Sequence, residues 1–277
     1  MAKALKLIGR EKEQEILKEA LESDEAEMVS VIGRRRVGKT YLIKSTYKDH
    51  IIFELTGVKQ RPLEEQLKNF TRVLNRMAKN LENIPQPQDW QEAFFALTDR
   101  LEELSIEQKY VIFLDELPWL AVHQAEFIGA LSFFWNSWAV NQNIVVVLCG
   151  SSASWIIQKI VNDRGGLHNR ITRRLDIKPF TLSETELYLK SRKINLSRQH
   201  ILQLFMAMGG IPHYLKEIKK AKSATQNIDD ICFSGTGLLS DEFTDLYSSL
   251  FDDSHNHIAV IRCQAARRSR PSPDTIG

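Results

Sequence analysis

The chain has 277 residues, 43% hydrophobic and 26% charged, with a net charge of +2. That is long enough for a core of its own, and too nearly neutral for charge alone to argue for nucleic acid or a membrane surface as partner. Three cysteines, Cys149, Cys232 and Cys263, lie far apart with no C-x-x-C pair, which excludes a disulfide framework as the organising device. No 18-residue apolar window and no apolar stretch near Met1 occur, so the expectation is a cytoplasmic chain without a membrane span or secretory leader.

Leu7-Ile8-Gly9-Arg10-Glu11 opens the sequence, and Ile16, Leu17, Ala20 and Leu21 follow at helical spacing. Ala26–Ile32 reads as a strand. It runs into Gly33-Arg34-Arg35-Arg36-Val37-Gly38-Lys39-Thr40, the pattern G-x-x-x-x-G-K-T in the strand-then-helix context that the motif requires. Gly33 and Gly38 permit a tight loop whose N–H groups converge on a phosphate chain. Lys39 is placed to neutralise the β- and γ-phosphates, and the Thr40 hydroxyl to ligate Mg²⁺. A second strand is expected at 51–55, then helices at about 63–80 and 90–104, split by Pro85-Gln86-Pro87.

Tyr110-Val111-Ile112-Phe113-Leu114 is apolar throughout, as for a strand buried on both faces, and ends in Asp115-Glu116. Two acids in a strand-to-helix turn are often just solvated. Downstream of a phosphate loop they acquire roles: Asp115 completes the Mg²⁺ shell beside Thr40, and Glu116 orients and deprotonates the attacking water. Proline cannot donate to a strand ladder, so Pro118 is expected to end the strand. A helix over 126–140 carries Phe127, Leu131, Phe134, Trp135 and Trp138, a stripe that reads as core packing. The run 144–149 is another buried strand, ending in Gly150-Ser151-Ser152. Ser151 either meets the γ-phosphate or its water, or Ser151 or Ser152 caps the next helix.

Arg164–Arg174 is basic and glycine-bearing and reads as an exposed mobile segment. Leu175–Ile177 follows as a short strand. Alternating strands and helices up to this point imply a mostly parallel sheet between helical layers. Beyond Phe180 the pattern is all-helical. Ser183 with Glu186 forms a capping box for a helix to about Arg192, a second helix covers 197–208 and stops at Gly209-Gly210, and a third starts near Pro212. A fourth covers 239–251, with Phe243, Leu246, Tyr247 and Leu250 at 3.6-residue spacing. His213 has no second ligand at metal spacing and reads as a half-buried surface residue. Residues 264–273 are Arg-, Ser- and Pro-rich and are expected to be disordered.

Taken together, Ile8-Gly9-Arg10-Glu11, the loop 33–40, Asp115-Glu116-Leu117-Pro118-Trp119, Gly150-Ser151-Ser152 and Gly209-Gly210-Ile211-Pro212-His213-Tyr214-Leu215 resemble the archaeal-type ATPases over about residues 5–260. These are AAA-like P-loop proteins related to the signal-transducing ATPases with numerous domains. The resemblance implies an α/β P-loop core over 1–180, a helical lid over 181–253 and a degenerate tail over 254–277. It also implies ATP and Mg²⁺ as cofactors, Gly9 and Arg10 near the adenine, and a homo-oligomer or partner protein. An arginine after the sensing serines is implied to act in trans, with Arg170, Arg173 and Arg174 as candidates. In that family a winged-helix, DNA-binding-like region follows the lid. Here Ile258–Ile261 resembles its first turns before the pattern passes into Arg267-Arg268-Ser269-Arg270, so specific DNA binding is not expected of this chain.

Three functions compete at this level. An Mg²⁺-dependent ATPase is supported by the phosphate loop, the metal acid and Glu116. A nucleotide-dependent switch would use the same site with little turnover. A DNA-associated motor rests only on Arg34–Arg36, Arg173-Arg174 and the basic tail, charges that often form a solvated face.

Overall fold

The β-branched and apolar runs of the first 180 residues become five strands: β1 (Glu27–Ile32), β2 (Ile51–Thr56), β3 (Tyr110–Asp115), β4 (Ile144–Gly150) and β5 (Arg173–Asp176). They pair in the order β2-β3-β4-β1-β5, and every pairing is parallel. Every residue of β1, β3 and β4 is buried, as the continuous apolar runs require when both faces are covered. The computed structural model describes residues 7–77, 82–104, 108–151, 153–156, 167, 169–240, 242 and 259. Among these, no helix is long and apolar enough to cross a membrane.

Side chains alternate across the sheet, so each strand feeds two cores. On one face, Met28, Ile32, Phe53, Ile112, Val146 and Leu148 meet α3 (Leu63–Met77), α4 (Trp90–Glu102) and α6 (Gln124–Ser137). The aromatic stripe of α6 is core there: the Trp90 and Phe127 rings meet edge to face at 4.9 Å, and Phe94 stacks on Phe134 at 5.2 Å. Trp138 is only half-buried, and its indole N–H donates to Glu102 Oε1 at 2.8 Å. On the other face, Val29, Val31, Val111, Phe113, Val145 and Val147 meet Leu17 and Ala20 of α1 (Glu11–Glu22) and Leu42 and Ile43 of α2 (Lys39–Thr46). Beyond β4 comes the single turn α7 (Ala153–Ile156).

The chain divides into two compact units, Met1–Phe180 with Ile211–His213, and Thr181–Gly210 with Tyr214–Gly277. The second is helical where described. It holds α8 (Leu182–Ser191), α9 (Arg198–Met208) and α11 (Ala224–Ile228), the last continuing into a π-helical turn at Asp229–Phe233; α10 is Pro212–Leu215. Leu189, Ile194, Ile201, Leu204, Met208, Leu215, Ile218 and Ile231 are among its buried apolar residues. Asn227 is 1% exposed, and its amide donates to the carbonyls of Lys219, Lys222 and Ser223 while its oxygen accepts from the Lys219 N–H. One buried amide thereby satisfies the loop that enters α11.

Several expectations are corrected. The capping box uses Thr181 and Glu184, not Ser183 and Glu186. Both pairs fit the S/T-x-x-E spacing, but Thr181 has the extended φ of −66° and ψ of 168° that a cap needs, and Glu186 instead pairs with Lys190. β5 begins at Arg173 rather than Leu175, because Val29 and Ser30 extend its pairing backwards into the basic segment. Pro118 does not break β3; it lies in the first turn of α5 (Leu117–Leu120), and the strand ends where Glu116 turns left-handed. The helix expected at 126–140 starts at Gln124, ends at Ser137, and is followed by a 3₁₀ turn at Ala139–Asn141. Most of the fourth helix at 239–251 and of the motif at 258–261, and all of the tail at 264–273, lie outside the described residues, as do Ser152, 164–166 and His168.

Candidate active site

The C-terminal ends of β1, β3 and β4 converge on one edge of the sheet, where open α/β folds gather their ligands. After β1 the chain turns at Gly33, with φ 147°, where an added Cβ would lie 2.3 Å from the carbonyl oxygen of Ile177. Only glycine lets the loop leave the strand this close to β5's end. The loop has two more left-handed residues, Arg36 at φ 69° and Gly38 at φ 93°. Gly38 is the N-cap of α2, so the helix N-terminus faces the loop's interior. Lys39 is 6% exposed, and its ammonium donates to the carbonyls of Gly33 (2.8 Å) and Arg34 (3.0 Å).

Thr40, the next residue, donates from Oγ1 to Asp115 Oδ2 at 2.7 Å. The two meet across the end of β4, since β4 lies between β1 and β3. Asp115 is 4% exposed, and its Oδ1 accepts the N–H of Glu116 at 2.9 Å. Glu116 stands at φ 48°, ψ 48°. This left-handed turn separates its side chain from Asp115's, and its Oε2 accepts from Ser151 Oγ at 3.0 Å. Cys149 is fully buried on β4, and burial above all, with the Asp115 carboxylate second, pushes its thiol well above the ordinary range.

The remaining candidates are distributed as follows. Gly9 and Arg10 are both left-handed, at φ 68° and 65°, just before α1. The buried Arg10 guanidinium donates to the carbonyls of Lys178 (2.5 Å) and Val37 (3.4 Å) and lies 4.9 Å over the Phe180 ring. It clamps the phosphate loop to the chain beyond β5. Val37 is buried in the core against α1 and α2, Arg34 is exposed, and Arg35 lies over Trp119 at 5.5 Å. Arg170 and Arg174 are exposed. Arg173 pairs with Glu19 at 2.8 Å and Glu27 at 3.2 Å. Its register opposite Val29 puts it nearer the start of β1 than the phosphate-loop edge.

Gln66 was not anticipated. It is wholly buried on α3, accepts from Val58 N–H and donates to the carbonyls of Val58 and Trp119. Its signal was present as a polar residue on the face otherwise made of Leu63, Leu67, Phe70 and Leu74.

The donor set fits Mg²⁺ and a polyphosphate. Mg²⁺ keeps several waters and takes one or two carboxylates plus phosphate oxygens, so a lone hydroxyl–carboxylate pair suffices. No cluster of three His, Cys, Asp or Glu placed for a metal occurs among the described residues. The lysine and helix N-terminus supply positive charge where phosphate is expected.

Residues 7–218 match the profile of an ATPase domain predominantly from Archaea. The chain belongs to this family. An uncharacterised protein of Methanocaldococcus jannaschii is 26% identical over 215 residues, 76% of this chain and 44% of that protein; the chain thus spans less than half that relative's length. The Walker-type ATPase of Pyrococcus abyssi superposes with a TM-score of 0.56 at 19% identity, over 95% of this chain and 77% of that one. The Aeropyrum pernix ORC2 protein, solved as ADPNP–ADP complexes, gives 0.53 at 15% identity, over 76% and 61%. These likenesses show that the chain shares the fold of those two proteins.

Proposed function

We propose that this archaeal-type ATPase binds ATP with Mg²⁺ and hydrolyses it to ADP and phosphate. The observation that carries the reading is the convergence of Thr40, Asp115, Glu116 and Ser151 on one edge, with Thr40 and Asp115 joined at 2.7 Å and Glu116 turned aside from them. Lys39 exchanges its loop carbonyls for β- and γ-phosphate oxygens. Thr40 and Asp115 would hold Mg²⁺, which would supply positive charge against the phosphates. Glu116 accepts the proton of the water that attacks the γ-phosphorus, while Ser151 orients that carboxylate or the water. Gly9 and Arg10 border the adenine, and exposed Arg170 is the trans arginine of a homo-oligomer or partner complex; Arg173, already bound to Glu19 and Glu27, is the poorer candidate. The helical unit acts as a lid that responds to nucleotide, in a cytoplasmic setting.

A switch with slow turnover is the second reading. It is favoured by the self-satisfied state of the site, in which Lys39 and Glu116 both have protein partners. Phosphate release with Mg²⁺–ATP, alongside binding of a non-hydrolysable analogue, separates the two. Binding with release is expected; binding without release leaves the switch, and no binding overturns both.

A further inference from the structure

Arg35 lies inside the phosphate loop, yet its guanidinium carbon sits 5.5 Å from the centre of the Trp119 ring, within cation–π range. Trp119 belongs to α5, the short helix that Glu116 opens. Its backbone is held at both ends. The N–H donates to the Glu116 carbonyl at 2.9 Å, and the carbonyl accepts from Gln66 Nε2 at 3.0 Å. The same turn is gripped from the residue that follows β2: the Gly57 N–H donates to the Asp115 carbonyl at 2.9 Å. The backbone beneath the ring is thus held, and Arg35 links two segments that are not neighbours in sequence: the loop expected to hold phosphate and the turn that aims Glu116.

We propose that Trp119 is a positioning residue, tying the phosphate loop through Arg35 to the Glu116 turn so that the γ-phosphate and the water-activating carboxylate keep one register. This rests on the ATPase reading above. The residue touches neither phosphate nor water and acts only through Arg35 and Glu116. The π face is what matters: a phenyl ring keeps it, whereas an aliphatic side chain of similar bulk fills the space without attracting a guanidinium.

The test uses the full chain and the variants Trp119→Phe, Trp119→Leu, Arg35→Ala and the Arg35→Ala/Trp119→Leu double. Three quantities are read: the Trp119 part of the ligand-free emission (spectra with and without Trp119→Phe, in the unsubstituted and the Arg35→Ala backgrounds), affinity for a labelled non-hydrolysable ATP analogue, and kcat. Removing the Arg35 guanidinium should alter Trp119 emission before any nucleotide is added. Trp119→Leu should lower kcat by about 3–10-fold, as misregistry of catalytic groups does, with affinity within about twofold, while Trp119→Phe stays near wild type. In the Arg35→Ala background, Trp119→Leu should have little further effect on kcat, because the contact is already gone. Equal turnover for Phe and Leu, independent effects in the double variant, or Trp119 emission indifferent to Arg35 would each overturn the tether while leaving the ATPase reading intact. Failure of the unsubstituted chain to bind the analogue would overturn that reading and the tether with it.

Discussion

Glu116 holds a left-handed conformation that costs a residue with a Cβ about 1 kcal/mol or more. A glycine there would relieve the strain, so the carboxylate stands at this turn against a local penalty. Nothing in Asp115-Glu116 announced this turn, because no glycine or asparagine marks it. The Lys-Thr pair and the strand-end acids were legible from spacing, whereas the closure of Lys39 onto Gly33 and Arg34 carbonyls depends on loop geometry that no motif encodes. Glu116→Gln keeps the shape and removes the base. It is expected to leave Mg²⁺–ATP binding near wild type and to slow phosphate release by about 10²–10⁴-fold. Asp115→Ala takes away Thr40's partner and should instead raise the Mg²⁺ concentration needed for half-maximal binding. Identical losses of nucleotide affinity in the two variants would show that the acids do not divide the work as proposed. Lys39→Ala should abolish analogue binding with the circular-dichroism spectrum unchanged, since the hydrogen bonds its ammonium makes are to loop carbonyls.

At the scale of elements, periodicity was readable where one face is apolar and unreadable where it is not. The buried runs of β3 and β4 and the amphipathic stretch of α3 declare themselves. α11 and its π-helical turn do not, because Ala224–Phe233 carries few large apolar residues and depends on Asn227 and the Ser223–Gln226 capping box instead. The start of β5 was hidden by its arginines. Arg173 reads as loop until Glu19 and Glu27 supply its partners. The α8 cap shows how two equal spacings are decided by backbone: Thr181 is extended and Ser183 is already helical. Thr181→Ala should therefore destabilise the helical unit by about 1 kcal/mol. Ser183→Ala should be within about 0.5 kcal/mol of neutral, as for a surface change away from a cap. Urea unfolding followed by circular dichroism compares them. A larger loss at Ser183 would restore the box first expected from spacing.

For the molecule as a whole, alternation of strands and helices made a parallel sheet legible, but not the strand order, which is set by pairings between distant segments. That order places β4 between the loop strand and the acid strand and sets Cys149, fully buried, against Asp115. Its place at the end of the buried run 144–149, beside Asp115, makes this cysteine a probe of the site. Burial first, and the Asp115 charge second, hold its thiol protonated well above the ordinary range. A thiol whose folded pKa is raised contributes stability that is complete below its unfolded pKa of about 8.5 and is lost as pH rises beyond it. Native Cys149 should thus react with iodoacetamide only through opening of the sheet, more readily as pH climbs past that value. Half-buried Cys232 should label sooner and serve as the internal reference. If an opening that exposes Cys149 also separates Asp115 from Thr40, then on the function proposed above the open form does not hold Mg²⁺–nucleotide. A non-hydrolysable analogue at 100 times its Kd should therefore slow Cys149 labelling about 100-fold and leave Cys232 much less affected. Peptide-resolved mass spectrometry at pH 8 and 9 measures both. Labelling of Cys149 that keeps pace with Cys232, or that ignores bound analogue, would mean that β4 opens without disturbing the Thr40–Asp115 pair.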